Sequence, residues 1–258
     1  MRLYIKYMAM HLKAQMQYKL SFALTVLGQI LVSFTTLLGM WFMLDRFHGV
    51  EGFTPAQVML CFSVILMAYS LAEIFGRGFD LFPRMISNGE FDRALVRPRG
   101  LLFQVMSSQM ELTRVGRVIQ AVAVLIYALP RAGVVWAPDK VLTLALMIAC
   151  GAVLFFCLFV VYAAFSFFTL EGLEFMNIFT DGGREFGRYP FSVYGRDALR
   201  VLTYAVPLAL VQYYPLLYLL GRETEVLYML SPLLALLFAV PAYLLWRFGL
   251  RRYKSTGS

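Results

Sequence analysis

The sequence predicts an all-α integral membrane protein that forms a single domain over residues 1–258. Hydrophobic residues make up 60% of the chain and charged residues 15%, whereas soluble domains are about 45–50% apolar. Several runs reach the roughly 20 apolar residues that a helix needs to cross a bilayer. The alternating pattern of membrane β-barrels is absent from these runs. The fold class that follows is a bundle of membrane-spanning helices.

The first 19 residues predict an amphipathic helix at the membrane surface. Tyr4, Ile5 and Leu12 belong to an apolar stripe, and Lys6 and Lys13 lie opposite it. Such helices bury their apolar face in the headgroup region of an anionic leaflet. The first span then follows over residues 20–44, where the polar residues are uncharged.

Further spans are predicted with defined ends. Thr54-Pro55 provides a cap and a first-turn proline for the second span, residues 56–82. The third is expected as one helix over residues 101–129, and the fourth as a long, almost uncharged helix over residues 140–170. A last clear span covers residues 228–246, and four basic residues follow it.

The distribution of basic residues predicts the orientation. Four basic residues lie in the first 19 positions, five between Arg77 and Arg99, and four in the tail. The loops at 45–55 and 130–140 contain one and two. Because cytoplasmic loops are enriched in Lys and Arg, both termini and the segment near Arg99 are expected in the cytoplasm, which requires an even number of spans.

Residues 171–221 allow two interpretations. Hydropathy favours residues 199–220 as the fifth span, but Pro207 and Pro215 would break that helix into pieces. Alternatively, residues 172–189 form a polar fifth span, and residues 190–221 form an external segment that enters the membrane and returns. Both interpretations keep the same number of crossings, so the charge distribution leaves the choice open.

The charged segment between the second and third spans, residues 83–99, predicts a short helix on the membrane surface. Ser87-Asn88-Gly89 is a turn signal, Glu90 and Asp92 suit a first helical turn, and Arg97-Pro98 closes the segment. A rigid helix there could pass force from a soluble partner to both spans. The simpler interpretation is a solvated loop with a helical turn.

Charged residues inside the predicted spans are candidates for a transport pathway. Glu111, Arg114 and Arg117 share one helical face, and charges at that depth are costly unless they are paired or face a wet cavity. An internal ion pair between Glu111 and Arg114 is an equally good explanation. Glu171 and Glu174 also share a face. The charged residues over 181–188 follow at helical spacing, which favours structural pairing over a proton relay.

Other functional classes find little support. The sequence contains no HExxH, GxSxG or Cys-His cluster, so neither catalysis nor a metal site is expected. No GxxxxGK[ST] phosphate loop occurs, and any nucleotide would have to bind another polypeptide. The net charge of +8 is explained by the cytoplasmic loops, and a nucleic-acid surface is not expected.

Two stretches resemble the permease subunits of ABC-2-type ATP-binding-cassette transporters. The sequence GEFDRALVRP over 89–98 is similar to the family pattern G-E-[LF]-D-x-x-L-x-R-P. The sequence RYPFSVY over 188–194 is similar to r-Y-P-x-x-[IV]-Y, and Pro207-Leu208-Ala209 and Tyr214-Pro215 follow it as the family's [IV]-P-[LF]-A and Y-x-P do. The likeness extends over nearly the full length.

The resemblance implies six transmembrane helices of ABC-2 exporter type in the cell inner (plasma) membrane. It implies an elbow helix over residues 1–19, a coupling helix within 83–99, and an external re-entrant segment over 190–221. A separate ABC ATPase subunit would bind ATP and Mg, this non-catalytic chain would bind no cofactor, and two permease chains, identical or paralogous, would form the pathway. The residues expected to couple to the ATPase are Glu90, Phe91, Asp92, Arg93, Leu95 and Arg97.

Two alternatives from other functional classes remain. An ion-driven transporter would use Glu111 and Glu171 as its ion-binding residues. A membrane scaffold or sensor would have no transport pathway.

Overall fold

The computed structural model describes residues 2–47, 50–169 and 174–254. Within these ranges the chain forms α-helices and 3-10 turns without a β-strand, which confirms the all-α expectation. The α-helices are α1 (Arg2–Gln15), α2 (Lys19–Phe47), α3 (Pro55–Asp80), α4 (Phe82–Ser87), α5 (Glu90–Leu95), α6 (Leu101–Ser108), α7 (Val115–Ala128), α8 (Pro138–Phe165), α9 (Glu174–Asn177), α10 (Asp181–Phe186), α11 (Gly195–Tyr204), α12 (Leu208–Val211), α13 (Tyr213–Leu219), α14 (Val226–Ala235) and α15 (Ala239–Arg252).

Four helical runs among the described residues are long and apolar enough to cross a bilayer. They are Leu3–Leu44, Pro55–Ser87, Pro138–Phe165 and Val226–Arg252. These runs contain the first, second and last predicted spans and most of the fourth, so all four spans are confirmed as long apolar helices. The fourth helix is shorter than predicted: it ends at Phe165, and residues 166–168 form a turn instead of continuing the helix toward residue 170.

The amino-terminal segment is continuous with the first span. Only a 3-10 turn, Met16–Tyr18, separates α1 from α2, and Leu3–Leu44 is one helical run of 42 residues. α1 packs on α6, where the rings of Tyr4 and Tyr7 lie 6.2 and 6.3 Å from that of Phe103. The boundary predicted at residue 19 thus coincides with this turn.

α3 is the central helix of the bundle. Its amino terminus has the predicted cap: Thr54 Oγ1 accepts from the Gln57 backbone nitrogen, and the Gln57 side chain accepts from the Thr54 backbone nitrogen. Most of α3 is buried, and its main neighbours are α8, α7 and α6. Such burial on all sides explains why its sequence is apolar all round.

The third predicted span, residues 101–129, is wrong as a single helix. Gln109 has extended backbone angles and Glu111 has a non-helical φ of −107° and ψ of 78°, which separate α6 from the 3-10 turn Leu112–Arg114 and from α7. Side chains of α1 satisfy carbonyl groups at the break: His11 Nε2 lies 3.0 Å from the Ser107 oxygen, and Gln15 Nε2 donates to the Met110 oxygen. An interrupted helix inside a membrane protein requires such partners.

Neither form of the fifth span is a continuous helix. The described part of residues 172–189 contains only α9 and α10, of four and six residues. Residues 199–220 are also wrong as one straight span, because the runs Phe191–Tyr204 and Leu208–Leu219 meet at 91°. Pro207 lies at the corner, where its ring and missing N–H prevent a continuous helix. The expected break at this proline is confirmed.

The two loops with opposite predicted locations lie at opposite ends of the bundle. At the amino-terminal end of α3, Gln57 donates to the Ala132 oxygen at 3.2 Å, and nearby Lys140 donates to the Leu219 oxygen at 3.0 Å. At its carboxyl-terminal end, α3 continues into α4 and α5. The segment 83–99 is therefore separated from the loop 129–137 by the length of α3.

A buried charge cluster and an exposed loop tip as candidate functional sites

The buried charge cluster has Glu73 of α3 at its centre. The Glu73 side chain is 5% exposed; its Oε1 lies 3.3 Å from Arg114 Nε, and its Oε2 accepts from Arg117 Nη1 at 2.9 Å. The break before α7 allows Arg114 and Arg117 to face α3 together. The candidate pathway residues Arg114 and Arg117 are thus held by a carboxylate from another helix.

One turn further along α3, Arg77 joins Glu111 to the same cluster. Arg77 Nε lies 3.1 Å from Glu111 Oε2, and Arg77 also pairs with Asp80. Glu111 additionally accepts from Thr113 Oγ1 at 3.1 Å. The expected pair of Glu111 with Arg114 is present only as a long contact of 4.0 Å, so the contacts between helices dominate.

One turn before Glu73, Tyr69 connects the cluster to α10. The Tyr69 hydroxyl donates to Asp181 Oδ1 at 2.7 Å, and the Arg184 guanidinium lies 4.8 Å from the centre of the Tyr69 ring. Arg184 also pairs with Glu185 at 2.9 Å, and Arg188 pairs with Glu185. The structural pairing predicted for residues 181–188 is therefore present.

The buried charge cluster consists of two ion-pair networks, one around Glu73 and one around Arg184, and each network is electrically neutral. The five basic members are Arg77, Arg114, Arg117, Arg184 and Arg188, and the five acidic members are Glu73, Asp80, Glu111, Asp181 and Glu185. Charges inside a membrane protein are tolerated when they pair in this way. The remaining pathway candidates are not members: Glu174 is exposed at the start of α9, and Glu171 lies outside the described residues.

Part of the charge cluster faces a cleft of about 150 Å³. Its lining consists of Arg117, Arg184, Glu185 and Arg188, with Val32, Ser33 and Thr36 of α2 and Phe62, Ile65 and Leu66 of α3. Arg117 is therefore both paired with Glu73 and next to a cavity. These are the two conditions under which a charged residue inside a membrane protein is tolerated.

The segment 83–99 is anchored by a buried aromatic ring. Phe91 is 0% exposed, and its ring centre lies 4.9 Å from that of Phe82, 5.6 Å from Phe167 and 5.0 Å from Tyr253. Gly89 has a φ of 68°, and this left-handed conformation, which glycine adopts readily, turns the chain from α4 into α5. Phe91 thus packs inward and is not available for a direct contact with a partner.

Three hydrogen bonds fix the rest of this segment. The Tyr253 hydroxyl donates to Asp92 Oδ1 at 3.0 Å, and burial together with this bond raises the pKa of Tyr253. The Gln104 side chain donates to the backbone oxygens of Ala94 and Arg99 at 3.1 and 2.9 Å. The loop after α5 is therefore tied to the first turn of α6.

The tip of the segment is exposed and combines apolar and basic side chains. Leu95 is 42% exposed and Val96 84%. Around them, Glu90, Arg93, Arg97, Pro98 and Arg99 are also exposed. Sequence reasoning did not include Val96 among the coupling residues. The signal that could have found it is an apolar residue in a charged loop with no apolar residue three or four positions away.

Sequence reasoning also missed the role of Glu73, Arg77 and Asp80. They were expected where the second span leaves the bilayer, and no local pattern relates them to residues more than 30 positions away. The available signal was complementary charge, since the second span carries acids and the third carries arginines. Only the packing of α3 on α7 shows which groups meet.

Comparison with known proteins identifies the family. Residues 30–257 match the family described as ABC-2 family transporter protein. No match was found among curated proteins or among solved structures. Members of this family are in general non-catalytic membrane components that work with an ATPase subunit. With its four long apolar helices and a match over most of its length, the chain belongs to the ABC-2 family of transporter proteins and is an ABC transporter permease.

Proposed function

We propose that this chain is the transmembrane subunit of an ATP-driven ABC exporter in the cell inner membrane. It forms half of the substrate pathway together with a second permease chain, and it couples to a separate ATPase subunit. The observation that carries the proposal is the construction of the segment 83–99, whose base is buried among the ends of several spans and whose tip is exposed.

This construction would couple movement of the tip to movement of the spans. Phe91 contacts Phe82 after α3, Phe167 after α8 and Tyr253 after α15. Closely packed aromatic rings transmit displacement because protein interiors are barely compressible. A movement of the tip by the ATPase would therefore reach three spans together. The tip offers Leu95 and Val96 for an apolar pocket, and surrounding arginines for acidic residues of the partner.

The proposed topology has six crossings with both termini in the cytoplasm. The third crossing consists of α6 and α7, and the fifth begins with α9 and α10. Two glycines support the fifth crossing, because they pack closely against other spans. A Cβ at Gly183 would lie 3.5 Å from Phe155 of α8, and a Cβ at Gly187 would lie 3.0 Å from Ile65 of α3. Phe155 and Ile65 lie near the middle of their helices. Residues 190–221, with the 91° bend, form the external re-entrant segment.

The proposed elbow helix and the second permease both involve the amino-terminal run. In this proposal α1 is the elbow helix on the cytoplasmic side, the 3-10 turn Met16–Tyr18 joins it to α2, and Lys6 and Lys13 lie near anionic headgroups. α2 is exposed over much of its length; Leu31 and Val32 are 63% and 65% exposed. A second permease chain would cover part of this surface, and lipid the remainder. The alternative of an ion-driven transporter is less favoured, because Glu111 is already held by Arg77 and Thr113.

The test uses the exposed valine at the tip. All three cysteines of the chain are buried, so a cysteine introduced by Val96→Cys can be labelled selectively with a photoactivatable cross-linker. Cross-linking in membranes followed by mass spectrometry is expected to recover a P-loop ATPase. Val135→Cys is the matched control, because Val135 is 78% exposed at the opposite end of the bundle. It should recover no ATPase.

The same variants test the orientation. A membrane-impermeant maleimide should label Val135→Cys in intact cells and Val96→Cys only in inside-out vesicles. Labelling of Val96→Cys from outside, or recovery of no ATPase at Val96 in membranes where the protein is abundant, would contradict the proposed function.

A further inference from the structure

Two arginines that line the cleft beside the charge cluster have guanidinium N–H donors without a hydrogen-bond partner in the described part of the protein. A guanidinium group has five N–H donors. In the described contacts Arg117 uses Nη1 toward Glu73, and Arg188 uses Nη2 toward Glu185. The other nitrogens of these two arginines make no further protein hydrogen bond among the described residues. Both side chains line the same cleft, so it offers unused donors to a ligand.

The charge on this side of the cluster is positive. Three arginines line the cleft, with Glu185 as the lining acid. The other acids that pair with these arginines, Glu73 with Arg117 and Asp181 with Arg184, do not line the cleft. The cluster is neutral as a whole but polarised, with its cationic end toward the cleft. An anionic group there would gain charge-assisted hydrogen bonds, which are stronger than neutral ones.

The size and the opening of the cleft favour an amphipathic ligand. A volume of about 150 Å³ equals roughly five water molecules, enough for an acid group and a few carbons. Val32 lines the cleft and is 65% exposed on α2, next to the exposed Leu31. The cleft therefore opens beside the apolar surface of α2, along which a hydrocarbon tail can lie.

We propose that this cleft binds the carboxylate or phosphate group of an anionic amphiphile, with Arg117, Arg184 and Arg188 as its ligands and the tail on α2. Binding itself does not depend on the proposed function. The claim that the amphiphile is the exported cargo does rest on it, whereas a bilayer phospholipid would bind through the same chemistry as a permanent component.

The first measurement needs no variant. Radiolabelled dodecanoate is bound to the purified chain in a neutral maltoside detergent, and unlabelled competitors are added. Dodecyl phosphate is expected to displace the probe, and dodecyltrimethylammonium, which has the same tail and the opposite charge, is expected not to. Equal displacement by both, or no saturable binding of dodecanoate, overturns the proposal.

The second measurement removes one ligand without leaving an acid unpaired. In Arg188→Gln, Glu185 keeps its 2.9 Å contact with Arg184. Loss of one charged hydrogen bond should weaken dodecanoate binding by about ten- to a hundred-fold. Arg188→Lys retains the charge and should bind more tightly than Arg188→Gln. Arg200→Gln is the matched control, since Arg200 forms an i,i+3 pair with Asp197 outside the cleft, and its binding should equal the wild type.

Arg117→Gln provides an independent variant, because Glu73 keeps Arg114 as a partner. Wild-type affinity in both Arg188→Gln and Arg117→Gln overturns the proposal. The source of the ligand is then distinguished by mass spectrometry of lipid that copurifies with the wild type and by export from vesicles. An anionic phospholipid lost in Arg188→Gln identifies a bound lipid; ATP-dependent export of dodecanoate identifies a cargo. Binding without any recovered ATPase would support the cleft and contradict only the proposed function.

Discussion

Replacing Glu73 by Gln should destabilise the protein more than other charge removals in the chain. Glu73 is the shared partner of Arg114 and Arg117, whose side chains are only 11% and 14% exposed. The substitution retains the shape of the side chain but removes its charge. Two arginines then lose their closest acid in an environment where unpaired charge is costly.

The magnitude follows from the contacts that remain. Breaking a buried ion pair by removing one partner costs about 3–5 kcal/mol. Arg114 retains a long contact of 4.0 Å with Glu111, and Arg117 borders the cleft, where water can solvate it. These two compensations place the expected loss near the lower end, at about 3 kcal/mol of unfolding free energy.

The assay is equilibrium unfolding by SDS in mixed micelles, followed by tryptophan fluorescence. Trp246 is 2% exposed and reports on the core. Asp197→Asn is the matched control, because the Asp197 and Arg200 side chains are 96% and 72% exposed, and exposed pairs contribute little. The double variant Glu73→Gln/Arg117→Gln should be less destabilised than the sum of the single variants by about 1 kcal/mol, since it removes both partners of one pair.

A small loss of stability in Glu73→Gln would contradict the stabilising role of Glu73. If Glu73→Gln unfolds at the same SDS concentration as Asp197→Asn, the cluster does not stabilise the packing of α3 on α7. Strict additivity in the double variant would show that Glu73 and Arg117 are not energetically coupled, whatever the size of the single effects.

Two further predictions concern packing and the base of the segment 83–99. A Cβ at Gly78 would lie 1.9 Å from the Val105 backbone oxygen, so Gly78→Ala should displace α6 and cost about 3 kcal/mol or more of unfolding free energy. The control Gly28→Ala, on the open face of α2, should stabilise the protein slightly. Equal unfolding of the two variants in SDS would contradict this prediction. Tyr253→Phe should lose about 1 kcal/mol by removing the bond to Asp92. Because the pKa of Tyr253 is raised by burial and by that bond, the contribution is complete below about pH 10 and disappears as the pH rises through the raised value. The difference between the thermal melts of the two proteins should therefore be smaller at about pH 11 than at about pH 8, and a difference that does not shrink at the higher pH would show that the hydroxyl acts otherwise.

Local sequence determined much of the fold because its signals are local. Twenty or more consecutive apolar residues define a spanning helix, which is why the four long runs were predicted. Thr54-Pro55 and Gly89 specify backbone geometry through their own side chains or lack of one, and Pro207 breaks a helix wherever it stands. The exposed charged residues Glu90, Arg93 and Arg97 were also predictable, whereas Val96 was missed.

Tertiary structure decided which charges meet and where the third span breaks. Glu73 and Arg117 are 44 residues apart, and no periodicity relates two helices that pack side by side. Gln109 and Glu111 lie in a run that is apolar enough for a continuous helix, yet contacts with His11, Gln15 and Arg77 stabilise the interruption. Phe91 illustrates the same division. The sequence placed Phe91 in the short helix of the segment 83–99, but its burial results from contacts with Phe167 and Tyr253, which come from distant parts of the chain. A single sequence records what each residue prefers, and only the packed structure records the partners that satisfy it.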